Sequence, residues 1–150
     1  MYTIHIEKGA LTMKKRSVIA VVLSIVLLFA FTACGSSEPT TLESYFDDNP
    51  AEKEQLVEAI AGTDGKGVVD ISADISGNVF TITGTYTQTY PEEYFGAMQE
   101  AFDKQIGEYT EEIAGEKEKI GDATGINADD ITIRMVYCNG DGTEIWSKDL

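Results

Sequence analysis

Residues 69–86 read VDISADISGNVFTITGTY. Val69, Ile71, Ala73 and Ile75 alternate with Asp70, Ser72 and Asp74; Phe80, Ile82, Gly84 and Tyr86 alternate with Thr81, Thr83 and Thr85. A period of two marks a strand with one buried and one wet face. Ser76-Gly77-Asn78 between the runs supplies turn residues, so the stretch predicts a β-hairpin with a polar side. Such strands need a cover on one face only, and the rest of the chain is read for what provides it.

Upstream, Thr40-Thr41-Leu42-Glu43 fits a capping box with Glu three residues after Thr. Leu42, Tyr45 and Phe46 then share a helical face. Asn49-Pro50-Ala51-Glu52 is a second helix start, with Asn as N-cap and Pro in the first position. Leu56, Val57 and Ile60 form its apolar side, and Gly62 is a natural stop. This N-terminal helix is expected to bend or break at Asn49-Pro50. Downstream, Pro91-Glu92-Glu93 opens a long helix with the stripe Phe95, Met98, Phe102, Ile106, Tyr109, Ile113 and Ile120, ended by Gly121 and Gly125. Ile131, Ile133, Met135 and Tyr137 alternate again, Asn139-Gly140-Asp141-Gly142 is a turn, and Thr143 to Lys148 is the return strand. That turn resembles part of a calcium loop, but the chain passes into a strand before the twelfth-position Glu such a loop needs, so a hairpin turn is preferred. The order helix, hairpin, helix, hairpin predicts an α+β domain: a four-stranded antiparallel sheet with two helices on one face.

A signal-peptide helix is expected to precede this domain. Lys14, Lys15 and Arg16 are followed by the apolar run Val18 to Phe31 and then Phe31-Thr32-Ala33-Cys34. This is the order of a secretory signal. The run is short for a membrane span, which needs roughly 20 residues. Small residues at Thr32 and Ala33 before a cysteine resemble a lipobox, although Phe31 replaces the usual Leu. Cleavage between Ala33 and Cys34 then leaves Cys34 as a lipid-modified first residue. An uncleaved anchor helix and a soluble secreted form are the alternatives. Residues 1–12 fit no part of a signal, and Met13 is read as the true start. The expected divisions are residues 1–12 as a mis-assigned start, 13–33 as lipoprotein signal, 34–39 as lipidated cysteine and tether, and 40–150 as the domain.

Processing keeps seven of the 11 basic and 25 of the 26 acidic residues, a formal charge of −18. Such a charge repels nucleic acid and anionic headgroups. The single histidine, His5, is lost, so no His-dependent catalytic pair or zinc site is available. Arg134 is the one arginine left, too few for a phosphate clamp. No nucleotide-binding glycine motif occurs. Neither a cofactor nor a metal is expected. Cys138 reads as a small buried thiol, with a disulfide to Cys34 open if the latter carries no lipid. Tyr86, Tyr90, Tyr94 and Tyr137 are the candidates for a binding groove on the sheet; core-edge tyrosines with wet tips are the plainer reading.

Two segments carry a family resemblance. Leu42-Glu43-Ser44-Tyr45-Phe46 and Val136-Tyr137-Cys138-Asn139-Gly140-Asp141-Gly142-Thr143-Glu144-Ile145 resemble the opening and closing segments of the domain-of-unknown-function 4854 family. The resemblance covers about residues 40–150 and implies a lipoprotein of Gram-positive bacteria, with no catalytic residue to carry over. The expectation is a non-catalytic binding or interaction module on the outer face of the cell membrane, held by lipid on Cys34. Its partner is a protein or a cationic ligand, not nucleic acid. An enzyme working through carboxylates alone, and an inhibitor or accessory subunit, are the competing readings.

Overall fold

The computed structural model describes residues 39–61 and 67–150; the signal helix, Ala33, Cys34 and the start of the tether lie outside them. The quoted stretch forms β1 (Val69–Ser76) and β2 (Val79–Tyr86), paired antiparallel from Val69↔Tyr86 to Ser76↔Val79. Before them come α1 (Leu42–Asp48) and α2 (Pro50–Ala61). After them come a 3-10 turn (Glu92–Tyr94), α3 (Phe95–Gly107), α4 (Thr110–Thr124), a second 3-10 turn (Ala128–Asp130), β3 (Thr132–Cys138) and β4 (Glu144–Asp149).

The sheet order is β1-β2-β3-β4, and here one expectation is corrected. The two hairpins are antiparallel, but β2 and β3 run parallel, from Val79↔Thr132 to Thr85↔Cys138, so the sheet is mixed. The cause is the connection. A tight turn reverses the chain, whereas α3 and α4 carry it back along the sheet so that β3 starts beside the start of β2.

Each of the two expected helices is also a pair. α1 and α2 part at Asn49-Pro50, as the sequence predicts. The Asn49 side chain serves the end of α1, its Nδ2 donating to the Tyr45 carbonyl at 2.8 Å. The long helix breaks at Glu108-Tyr109, where the Thr110 hydroxyl lies 3.4 Å from both the Ile106 and the Gly107 carbonyls, the former also accepting from the Tyr109 N–H at 3.0 Å. α4 then runs past Gly121 and stops at Gly125. The capping box of α1 is shifted from the expected one. Thr41 Oγ1 accepts from the Ser44 N–H and Ser44 Oγ accepts from the Thr41 N–H, each at 3.1 Å, which frees Glu43 for other work.

All four helices bury their apolar sides on one face of the sheet, in two clusters end to end. The first joins Leu42, Phe46, Leu56, Ile60, Ile113 and Ile120 to Ile75, Phe80, Ile82 and Ile133. The second joins Phe102 and Ile106 of α3 to Val69, Tyr86, Met135, Tyr137, Ile145 and Trp146. Ile71 and Leu150 pack against both. Each such side chain contributes roughly 1.5–3 kcal/mol by leaving water. The break between α3 and α4 gives each helix its own cluster to cover.

Candidate functional site

The other face of the sheet has no helix on it among the described residues. The strand register sets its side chains in three rows that cross all four strands, beside a shorter row of Ser76, Val79 and Thr132. Asp74, Thr81, Arg134 and Asp149 form the first, and Ser72, Thr83, Val136 and Ser147 the second. Asp70, Thr85, Cys138 and Glu144 form the third, where a bulge between Tyr137 and Cys138 bends the edge. The central strands contribute half-buried residues, apart from the exposed Arg134, and the margins exposed ones. Thr and Val are stiff at χ1, so the side chains in the middle of this face are already ordered.

Arg134 forks onto Asp149, with Nε to Oδ1 at 2.6 Å and Nη2 to Oδ2 at 2.7 Å. The fork pulls the Asp149 carboxyl below the usual carboxylate range and raises the guanidinium. Ser147 donates to Glu144 Oε1 at 2.7 Å. Burial, and then the nearby Glu144 charge, push the Cys138 thiol up, so it stays protonated and a poor nucleophile.

The four candidate tyrosines do not gather on this face. Tyr86 and Tyr137 are each 8% exposed and lie within the second cluster on the covered side. The Tyr137 ring stacks on Phe102, with centroids 4.2 Å apart and planes at 8°. Gly84 makes room for that ring: a Cβ there would sit 2.9 Å from Tyr137 Cε1. Burial lifts the Tyr137 hydroxyl to about 12, and Tyr86 is raised for the same leading reason. Tyr90 packs edge-on to Tyr86 at 5.2 Å, while Tyr94 stands exposed on the first 3-10 turn. Strand parity held the signal, because Tyr86 and Tyr137 fall in the same alternation as Phe80, Ile82 and Met135.

Both segments of the family resemblance act as clasps. Glu43 Oε2 accepts from the Gly77 N–H at 2.7 Å, and the Glu43 N–H donates to the Gly77 carbonyl at 2.9 Å. Leu42 N–H adds a bond to Asn78 Oδ1 at 2.9 Å, tying α1 to the β1–β2 turn. At the far end Asn139, 2% exposed, holds the backbone of Tyr90 with both amide atoms: Oδ1 accepts at 2.8 Å and Nδ2 donates at 3.0 Å. A Cβ at Gly140 would lie 2.7 Å from the Gln88 carbonyl carbon, which keeps that position small. Sequence reading took Asn139 for an ordinary turn residue and missed this grip.

Glu116 is 3% exposed; Oε1 meets Lys119 Nζ at 2.9 Å and Oε2 has no hydrogen-bond partner among the described residues. An open pocket of 630 Å³ at the end of α4 is lined by Glu118 and Asp122 but not by Glu116. Among the described residues, no group of three or more His, Cys, Asp or Glu side chains is placed to hold a metal, and no helix is long and apolar enough to cross a membrane.

No curated protein and no solved structure matches the chain significantly. A family model does: the Domain of unknown function (DUF4854) matches residues 42–150, which take in the clasps, both clusters and the open face. The chain therefore belongs to the DUF4854 family.

Proposed function

We propose that this protein is a lipid-anchored envelope protein that docks a partner, without catalysis, on the uncovered face of its sheet. The observation that carries the reading is the face itself. The two central strands present ordered, half-buried Thr81, Thr83, Thr85 and Val136, flanked by exposed polar residues of the edge strands, and no described element covers them. A rigid surface loses little side-chain entropy on binding. The lipobox-like Phe31-Thr32-Ala33-Cys34 supports the anchor, with the family-matched domain starting eight residues later at Leu42. An inhibitor or accessory subunit is the same reading with the partner specified. The carboxylate enzyme has less support: Glu118 and Asp122 line the open pocket, but the buried Glu116 does not.

The test is a photo-crosslinking amino acid placed at Thr83 or, as control, at exposed Glu112 on α4, in intact cells. A discrete adduct from Thr83 and none from Glu112 is expected. Equal yields from both, or none from Thr83, would retire the docking reading. Cys34→Ser should abolish metabolic fatty-acid labelling; label retained in that variant would remove the anchor.

A further inference from the structure

The open face carries its charge at its corners. Asp70 and Asp74 lie on the β1 margin, four residues and about 13 Å apart at strand rise. Glu144 lies across three strand spacings from Asp70, about 14 Å away. The fourth corner, Asp149, is neutralised by the Arg134 fork, and Arg134 is the one cation in the three rows. Between the corners lie the hydroxyls of Ser72, Thr81, Thr83, Thr85 and Ser147, with Val136 and Cys138 among them.

We infer that the occupant of this face is a basic, extended polypeptide segment with cationic side chains four residues apart; the inference rests on the docking reading above. An extended chain sends alternate side chains to one side, and its residues i and i+4 are about 13 Å apart, the spacing of Asp70 and Asp74. In a helix the same two residues are only about 6 Å apart. The hydroxyls between the corners offer donors and acceptors to the small polar side chains of such a segment. Glu111, Glu112 and Glu118 on α4 are also exposed and acidic, but they are long side chains that lose more rotamer freedom when fixed. The short Asp side chains on a strand are held closer to one geometry.

The experiment titrates the processed lipoprotein, in neutral detergent micelles, with two seven-residue peptides of the same composition. Both contain threonine, serine and two lysines. In one the lysines are second and sixth; in the other they are adjacent. The spaced peptide should bind about threefold or more tightly than its isomer, with amide shifts at Ser72, Thr81, Thr83 and Thr85. Asp70→Asn with Asp74→Asn should abolish that preference, and Glu111→Gln with Glu112→Gln should leave it. Equal affinities, no binding of either peptide, or a preference that survives the Asp70/Asp74 variant would overturn the inference. The cellular crosslink separates the two levels. A Thr83 adduct whose contact sequence is neutral or acidic keeps the docking reading and sinks the basic occupant. An adduct mapped to a contact sequence with Lys or Arg at i and i+4 supports both.

Discussion

Phe102→Ala tests whether the α3 half of the domain is held by the packing described. Phe102 is 4% exposed, stacked on Tyr137 at 4.2 Å and tilted against Trp146 at 5.5 Å. Removing a buried ring of this kind costs about 3–5 kcal/mol, through lost transfer energy and the cavity left behind. A domain of this size has about 5–15 kcal/mol in total. At about 4 °C per kcal/mol, the melting temperature should fall by about 12–20 °C. Tyr137 stands on β3, which is paired on both sides, so that strand will not collapse into the hole; Trp146 stands on the edge strand β4. Phe102→Leu, which keeps part of the burial but loses the stacking, should fall between Phe102→Ala and wild type. Glu112→Ala, on the exposed side of α4, should stay within about 0.5 kcal/mol. The assay is a thermal melt of the processed protein followed by far-UV circular dichroism, with the near-UV signal of Trp146 recorded alongside. Equal, small shifts for Phe102→Ala and Glu112→Ala would refute the reasoning, because α3 would then not be covering the sheet.

Asn139→Ala should cost about 2–3 kcal/mol, since it strands the Tyr90 N–H and C=O together; Asn127→Ala, at an exposed cap, is the mild control in the same chemical denaturation series. Glu116→Met should raise stability by about 1–2 kcal/mol, because it replaces a buried oxygen without a described partner by apolar surface while leaving Lys119 in water; a comparable fall in melting temperature would show that Oε2 is satisfied by residues outside those described. Tyr45 and Tyr137 are both held up to about 12 in the folded state, against about 10 when unfolded. Their stabilisation is therefore complete below pH 10 and declines from about 10 to 12, where the unfolded chain alone loses the protons. Melts across that range should steepen downward with pH, and Tyr137→Phe should flatten the slope.

Much of this architecture is local and was readable for that reason. The alternation at 69–86 and 131–137 sorts every side chain to one face or the other without reference to the rest of the chain. Pro50 marks a break wherever it occurs in a helix. The parallel pairing of β2 with β3 is different. Strand direction there depends on the path of a connection more than 40 residues long, and the polar alternation is the same in either sense because one face stays wet. The break at Glu108-Tyr109 was hidden because the apolar stripe runs through it from Ile106 to Ile113. For the candidate site, the threonine rows were legible as a polar face, but their alignment with Asp70, Asp74 and Glu144 required the sheet order. The tyrosines drew notice as a residue type, when their parity with Phe80 and Met135 already turned them inward.

The parallel joint also imposes an order of events on folding. Each hairpin closes between neighbours, but the bond pattern uniting them pairs Val79 with Thr132, 53 positions later. Contacts of that span form late, after the entropy of closing a long loop has been met. The slow, committing step is thus the arrival of the C-terminal hairpin beside β2, once α3 and α4 have folded back over the apolar side. Until then β2 is an unpaired edge, the kind of surface on which chains aggregate. What it offers a stray copy is threonine on one face, with Phe80, Ile82 and Tyr86 on the other until the helices cover them. The hydroxyls that keep the finished face wet therefore leave the waiting half-sheet one apolar side to hide rather than two.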